Sequence, residues 1–327
     1  MKAILIDHPG EPEVLRLAEV PDPVAGPRDV LMRVAGAGVN RADLLQRRGF
    51  YPPPPGASEV LGMEAAGEVV ATGVDVSEWR VGDRVMALVE GGAYAELLRA
   101  PAGQVMAAPR QMDLVTAAGI PEVFITAHDA LFTHGRLRTG ETVLIHGGGG
   151  GVGTAAVQLT CRGGARVIVT AGSTAKLERA RELGAEWGID YTTEDFVARV
   201  REITDGHGAD VILDVMGAAY LERNIDALAP DGRLLVIGLQ GGTTAEIDLG
   251  KLMRIRGSVI STALRARPAQ QKAAIVSDFV EHVLPAFDEG SLCPVIGRVF
   301  PLEAAADAHR ALENGEVIGK VILQVAA

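Results

Sequence analysis

The chain has little cysteine and few aromatic residues. Its 327 residues include two cysteines, Cys161 and Cys293, and aromatic residues make up 4% of it. Two thiols cannot form a disulfide framework or a four-cysteine zinc site, and such scarcity is typical of proteins in a reducing cytoplasm. We therefore expect both cysteines to be ordinary buried residues and the protein to be cytoplasmic.

Positive charge is also scarce. The chain has 31 Lys and Arg against 42 Asp and Glu, which gives a formal net charge of −11. This balance repels nucleic-acid phosphates and anionic lipid surfaces, and no Lys/Arg-rich tract offsets it locally. We therefore expect no nucleic-acid partner.

A long apolar run suited to a membrane is missing as well. The segment from Thr142 to Cys161 lacks Asp, Glu, Lys and Arg, but its glycines, His146 and Gln158 would face lipid poorly. The N-terminal MKAILIDH has an acid at Asp7 and no apolar core of a signal peptide. We expect neither a membrane span nor a secretion signal.

Apolar residues make up 48% of the chain, and single cores stop growing well before 327 residues, so two domains are expected. In the first third, apolar and polar residues alternate in short segments cut by Gly and Pro, which predicts a β-rich domain. The predicted strands are KAILI, EVLRLAEV, DVLMRVAGAGV, GEVVATGV, DRVMALV and AYAELLRA. Between them, NRADLLQRRG predicts a short helix with Asn40 as its N-cap.

From about Pro121, apolar strands alternate with amphipathic helices. This pattern predicts βαβ units and a doubly wound parallel sheet of the dinucleotide-binding kind. From about Arg265 the chain gives two helices and a closing strand, KVILQV, without another βαβ unit. The six predicted strands of the parallel sheet are TVLIH, RVIVT, WGID, ADVILDV, GRLLVIG and GSVISTAL.

A glycine-rich turn joins the first of these strands to its helix. Gly148, Gly150 and Gly153 form the pattern GxGxxG, with Gly151 and Val152 between them. Backbone without Cβ can approach a pyrophosphate there, and the helix N-terminus offers free N–H groups and a positive dipole. The alternative is a purely structural glycine turn, but the strand-turn-helix context favours a bound dinucleotide.

The end of the second strand, RVIVTAGSTAK, indicates which dinucleotide. An NAD site usually has an Asp or Glu there for the ribose 2′-OH, and this chain has Gly172 instead. Ser173 can both cap the next helix and bond a 2′-phosphate, and Lys176 can supply a positive charge to it. NADPH is therefore the expected cofactor, the alternative for Lys176 being an ordinary solvated lysine.

Four segments carry a resemblance to a known family: NRADLLQRRGFYPPPPGAS, VLIHGGGGGVGTAAVQLT, VTAGSTAKLERARELGA and RGSVISTALRAR. The whole chain resembles the medium-chain dehydrogenase/reductase superfamily, within it the zinc-independent, zeta-crystallin-like quinone oxidoreductases, and most closely their tumour-suppressor-inducible members. The resemblance implies an α/β protein in which a Rossmann doubly wound parallel sheet is inserted in a β-rich GroES-like catalytic domain. The implied boundaries are 1–122 and 265–327 for the GroES-like domain and 123–264 for the NADP-binding domain.

The zinc ligands of the alcohol dehydrogenase branch are replaced. The ligand cysteine corresponds to Asn40, and the ligand histidine of a GHE-type motif corresponds to Met63 in Gly62-Met63-Glu64. An amide and a thioether make a poor zinc site. We therefore expect no metal, and Glu64 as a structural residue.

The resemblance implies an enzyme that transfers a hydride from NADPH to quinones. Quinones are already electrophilic, so the proton can come from solvent and no dedicated acid is required. The implied catalytic residues are Tyr51, on the rigid loop YPPPPG, with Asn40 and Asp43 nearby; the alternatives are a simple cap at Asn40 and a helix-surface acid at Asp43. The implied cofactor-binding residues are Gly148, Gly150, Gly151, Val152, Gly153, Gly172, Ser173, Lys176, Tyr191, Gly217, Gly238, Leu264 and Arg265.

Two other functions stay open. One is reduction of activated C=C bonds in enones or enoyl thioesters, which needs a placed acid such as Tyr51. The other is a non-catalytic NADPH-binding or structural protein, which would bind the cofactor and reduce nothing. His128, His134 and His146 are interpreted as packing residues because none has a second histidine at metal spacing. The edge strand GSVISTAL predicts a homodimer.

Overall fold

The computed structural model describes residues 1–325, which form two compact units. The first comprises Met1–Ile125 and the chain from Leu264 onwards, and the second comprises Thr126–Ala263. The second unit is therefore contiguous in sequence, whereas the first is assembled from two separate segments.

The strands, in chain order, are β1 Lys2–Ile6, β2 Leu15–Glu19, β3 Asp29–Val39, β4 Glu64–Thr72, β5 Arg84–Leu88, β6 Leu97–Pro101, β7 Val105–Ala107, β8 Thr142–His146, β9 Arg166–Ala171, β10 Trp187–Asp190, β11 Ala209–Asp214, β12 Leu228–Val236, β13 Ser258–Ser261, β14 Ile296–Pro301 and β15 Lys320–Gln324. The α-helices are α1 Arg41–Arg47, α2 Leu114–Ala117, α3 Pro121–His128, α4 Gly151–Arg162, α5 Thr174–Glu182, α6 Phe196–Ile203, α7 Leu221–Ala227, α8 Leu249–Ile255, α9 Ala269–His282, α10 Pro285–Asp288 and α11 Ala305–Glu313.

The first unit is built on a seven-stranded sheet. Its main order is β14-β15-β3-β4-β5-β7, and β6 pairs with β3 beside this path. Val30, Met32 and Val34 alternate along β3 and are buried in the core, as expected for a strand with one apolar face. The antiparallel pairing of β15 with β3 sets Val321 opposite Val39. The strands β7 and β14 were not among the predicted ones.

The second unit is the predicted six-stranded parallel sheet. Its order is β10-β9-β8-β11-β12-β13, the arrangement of a Rossmann fold. The apolar runs of β8, β9 and β11 are buried because helices pack against the sheet, and Phe196 of α6 lies in the same core. The α/β fold class is therefore confirmed.

Both cysteines are less buried than expected. Cys161 is partly exposed and Cys293 is exposed, so the expectation of two buried thiols is wrong. Cys161 lies in the last turn of α4 and Cys293 lies in the loop before β14, and neither position is enclosed by the core. Across residues 1–325, no helix combines the length and apolarity needed to cross a bilayer.

Candidate active site and cofactor-binding residues

The glycine turn leaves β8 and enters α4 in a fixed conformation. Gly147 has a φ of +71°, and the Gly150 N–H donates to the Gly147 carbonyl at 2.9 Å. A Cβ on Gly153 would collide with that same carbonyl oxygen and lie 2.8 Å from the Cα of Gly148. Gly150 is the N-cap and gives no side-chain cap, so the first N–H groups of α4 are available to a ligand. This geometry fits a dinucleotide pyrophosphate.

Lys176 and Tyr191 both lie against glycines of this edge of the sheet. A Cβ on Gly149 would lie 2.6 Å from the Cγ of Lys176, so the lysine stem passes over the turn. A Cβ on Gly172 would lie 2.5 Å from the hydroxyl of Tyr191. The two side chains that the resemblance assigns to a 2′-phosphate thus each lie against a glycine that follows β8 or β9.

Ser173 takes the N-cap position of α5 with extended backbone angles, φ −161° and ψ 150°. Its hydroxyl makes no capping hydrogen bond, so the expectation that it caps this helix through its side chain is wrong. The side chain is exposed, which suits its other predicted role, bonding a phosphate.

An acidic residue does lie beside the end of β9, on the neighbouring strand β10. Asp190 ends β10 and is in register with Ala171, the last residue of β9. Its carboxylate accepts hydrogen bonds from the backbone N–H and the hydroxyl of Thr192, and these bonds lower the pKa of Asp190. The carboxylate is therefore held in a local turn.

Gly217 and Gly238 follow the next two strands of the sheet. The buried Asp214 accepts from the backbone N–H groups of Met216 at 2.8 Å and Gly217 at 2.9 Å. A Cβ on Gly238 would lie 2.8 Å from the carbonyl oxygen of Val215, so the two loops pack closely. Because carboxyl ends of parallel strands meet at one edge, the predicted cofactor residues of the second unit lie along that edge.

His146 ends β8 but is a packing residue, as expected. Its Nδ1 lies 3.0 Å from the hydroxyl of Thr170, and its Nε2 lies 2.8 Å from the Oδ1 of Asn224. Burial lowers the pKa of His146 to about 4, so the ring is neutral and both nitrogens are used.

In the first unit, Asn40 belongs to a buried polar cluster. Its Nδ2 donates to the Oε1 of Glu64 at 2.8 Å, and its Oδ1 accepts from the Nζ of Lys320 at 2.7 Å. The same ammonium donates to Glu64 Oε1 at 2.6 Å, and both ion-pair partners are almost completely buried. Sequence analysis missed Lys320, which looked like an ordinary lysine opening the strand KVILQV.

The chemistry of this cluster is unsuited to zinc. Asn40 and Glu64 are bonded to an ammonium group, and Met63, at the position of the ligand histidine, offers a buried thioether. Within the described part of the chain, no group of three or more His, Cys, Asp or Glu residues is arranged to hold a metal ion.

Asp43 is completely buried, so the alternative of a helix-surface acid is wrong. It accepts hydrogen bonds from the Asn40 N–H at 2.8 Å, the Gly62 N–H at 3.2 Å and the Tyr94 hydroxyl at 3.2 Å. Burial raises the pKa of Asp43 to about 6 despite these bonds. The carboxylate joins the start of α1 to the Gly62-Met63-Glu64 segment.

Tyr51 is held by Arg265. The guanidinium carbon of Arg265 lies 5.2 Å from the centre of the Tyr51 ring, and Arg265 donates to the Tyr51 carbonyl at 3.2 Å. The other donors of Arg265 reach the Gln46 side chain at 2.5 Å and the Glu90 carbonyl at 2.7 Å. Burial raises the pKa of Tyr51, which keeps its phenol protonated. Leu264 and Arg265 are buried residues of the first unit, and their cofactor role stays a prediction.

A second residue that sequence analysis missed is Glu122, in the first turn of α3. Its backbone N–H donates to the Oε2 of Glu64 at 2.8 Å, and the residue as a whole is partly exposed. Burial and the charge of Glu64 raise the pKa of Glu122 to about 8. The one sequence signal for Glu122 is its position directly after Pro121, at the start of a helix.

Two family models match this chain. Residues 26–110 match the alcohol dehydrogenase GroES-like domain, and residues 151–281 match a domain described as zinc-binding dehydrogenase. A quinone oxidoreductase of Pseudomonas aeruginosa is 34% identical over 316 residues, and the alignment covers 96% of each protein. The chain belongs to the medium-chain dehydrogenase/reductase superfamily. It is one of the quinone oxidoreductase-like members, as the resemblance implied.

Other members carry different names. A synaptic vesicle membrane protein VAT-1 homolog of Rattus norvegicus is 35% identical, over 92% of this chain and 78% of that protein. A 2-haloacrylate reductase of Burkholderia sp is 32% identical over 98% of both. Only some of these names describe a reductase. The superfamily assignment therefore supports an oxidoreductase but does not identify its substrate.

Solved structures of superfamily members are closely similar to this one. An Escherichia coli quinone oxidoreductase complexed with NADPH has a TM-score of 0.89 and 28% identity, covering 99% of this chain and 100% of that one. An NAD-dependent alcohol dehydrogenase has a TM-score of 0.88 and 33% identity, with complete coverage of both. These two proteins are named with different cofactors, so the cofactor preference of this chain depends on the residues around Lys176.

Proposed function

We propose that this cytoplasmic oxidoreductase transfers a hydride from NADPH to quinones without zinc. The observation that carries the proposal is the bonding of the Lys320 ammonium to both Asn40 and Glu64. A protein cation is built into the polar cluster that corresponds to the zinc site of the alcohol dehydrogenase branch. Without a Lewis acid, the acceptor must already be electrophilic, and quinones meet that requirement.

The second unit supports NADPH as the hydride source. Its glycine turn has the backbone geometry for a pyrophosphate, and Lys176, Ser173 and Tyr191 lie where β9 ends without an acid of its own. When bound, NADPH supplies the hydride, and this chain's residues hold the cofactor and exclude water. Lys176 would act on the 2′-phosphate as a point charge.

The test is oxidation of NADPH and NADH with a panel of small quinones in the presence of a metal chelator. Turnover that survives the chelator is expected. Lys176→Ala is expected to weaken NADPH binding about 10- to 100-fold while leaving NADH binding unchanged, because one charge-assisted contact to the 2′-phosphate is lost. Lys251→Ala is the matched control, since Lys251 of the same unit pairs with Glu222 and Asp226. Chelator-sensitive turnover, or equal losses for both cofactors, would contradict the proposal.

The second candidate function is reduction of activated C=C bonds. The full-length similarity to a 2-haloacrylate reductase favours it, because that protein is named for an electron-poor alkene. Enones therefore belong in the same panel as the quinones. Cofactor binding without turnover of either class would instead support a non-catalytic role.

We also propose that two copies pair through β13. This strand is the last of its sheet, and Val259 on it and Met253 on α8 are 39% and 77% exposed. An apolar strand edge of this kind is usually covered by another copy. Light scattering should give a dimer mass for the wild type and a monomer mass for Val259→Lys. Val81→Lys, at an exposed valine of the first unit, is the control, and a wild-type monomer at micromolar concentration would refute the dimer.

A further inference from the structure

Three carboxyl groups of the first unit lie around one ammonium group. Lys320 is bonded to Glu64, and its charge also acts on Asp43 and Glu122. The Glu122 backbone N–H donates to Glu64, which ties the start of α3 to this cluster. One lysine therefore lies near three acidic residues, and its ion pair is with Glu64.

The oxygens of two of these acids are fully used. Glu64 accepts from Lys320 and Asn40 at Oε1 and from the Glu122 N–H at Oε2. Asp43 accepts from Gly62 at Oδ1 and from the Asn40 N–H and Tyr94 at Oδ2. By contrast, no side chain or N–H within residues 1–325 donates a hydrogen bond to the Glu122 carboxyl.

The other cations of this neighbourhood are committed elsewhere. Lys272 of α9 is paired with Glu90, and the guanidinium of Arg265 is bonded to Gln46 and to two backbone carbonyls. Glu122 therefore faces the negative charges of Glu64 and Asp43 without a cation of its own. A carboxyl in such surroundings keeps its proton, and its pKa of about 8 agrees.

Glu122 also shares the surroundings of Tyr51. Ionised Glu122 raises the pKa of the Tyr51 phenol, and ionised Glu122 and Tyr51 both favour the charged form of Arg265. As a residue, Glu122 is partly exposed, whereas Asp43 and Glu64 are completely buried. Of the acids of this cluster, Glu122 is the one that can meet a small molecule.

We propose that Glu122 is the catalytic proton donor of this enzyme. The inference rests on the proposed hydride transfer and replaces the solvent proton that the sequence suggested. The hydride brings two electrons, which oxidises NADPH to NADP⁺ and reduces the quinone to a hydroquinone anion. The Glu122 O–H bond then breaks, a new O–H bond forms on the anionic oxygen, and the carboxylate regains a proton from water.

The first test needs neither cofactor nor substrate. The infrared spectrum of the protein alone should contain the C=O band of a protonated carboxylic acid at pH 7, and this band should titrate away near pH 8. Glu122→Gln should lack the band. Glu303→Gln, at an exposed acid of the same unit, should retain it. A spectrum in which Glu122→Gln removes no protonated-acid band at pH 7 would overturn the proposal.

The second test is turnover. Glu122→Gln should lower kcat with quinones about 10²- to 10⁴-fold, as loss of a general acid does, with NADPH affinity unchanged. Wild-type kcat should fall above pH 8 as Glu122 ionises, and Glu122→Asp should retain part of the activity with a shifted profile. Wild-type kcat and pH profile in Glu122→Gln would overturn the assignment.

The two proposals fail in different ways. If the wild type reduces no quinone but the infrared band is present, the quinone reductase proposal fails, and the same variants are measured with an enone. Loss of enone turnover in Glu122→Gln would then still support the proton donor. Unaltered enone turnover in that variant would overturn it.

Discussion

Lys320→Met is expected to lower the free energy of unfolding by about 3 to 5 kcal/mol, because it leaves the carboxylate of Glu64 buried without its cation. Lys320 is 3% exposed and Glu64 is fully buried, so water cannot replace the lost ammonium. Its bonds to Asn40 and to the Val39 carbonyl are lost in the same substitution. Denaturant unfolding monitored by circular dichroism measures the change.

Two further variants make this prediction specific. Lys251→Met, which removes a partly exposed lysine from an ion pair, should change the stability far less. The double variant Glu64→Gln/Lys320→Met removes both charges and should recover part of the loss, because neither buried charge is left alone. A Lys320→Met protein as stable as the wild type would show that the buried pair contributes nothing.

Gly153→Ala is expected to weaken NADPH binding about 100-fold, which corresponds to about 2.7 kcal/mol. The new Cβ would collide with the Gly147 carbonyl and lie 2.8 Å from the Gly148 Cα, so the turn must open. Opening moves the N–H groups that would face the pyrophosphate. Titration calorimetry with NADPH measures the affinity.

Gly250→Ala is the matched control for that substitution. Gly250 lies in α8, where a Cβ meets only the ends of flexible side chains, Asp248 Oδ1 at 3.1 Å and Arg254 at 3.6 Å. Its NADPH affinity should equal that of the wild type, and its helix should gain slightly from the better helix former. Equal NADPH affinity in Gly153→Ala and the wild type would exclude the glycine turn as the pyrophosphate site.

The parallel sheet could be predicted because its strands carry the signal locally. Each of β8, β9 and β11 is a short apolar run followed by glycine or a helix start, and burial on both faces requires that composition. β14 was missed because most of IGRVFP is exposed and shows no alternation. Its pairing with β15 is supplied by the tertiary structure and not by its own sequence.

The candidate site could be predicted only where a motif is contiguous. The glycine turn and its helix occupy adjacent residues, so spacing alone locates them. The polar cluster of the first unit is different, since Lys320 lies 256 residues from Glu64 and 280 from Asn40. The burial of Asp43 likewise depends on Gly62 and Tyr94, which are 19 and 51 residues away. A lone lysine or glutamate carries no sign of such partners.

The long separation of Asn40 from Lys320 also sets an order of events on the ribosome. At about 5 to 20 residues per second, the 280 residues between them take roughly 15 to 55 s to translate. Until β15 emerges, the nascent β3 lacks the neighbour that pairs with it from Gly36 to Val39. The contiguous unit Thr126–Ala263 emerges whole in the meantime. The domain that begins first is therefore the last to be completed, and its open strand edge is what a chaperone would need to cover.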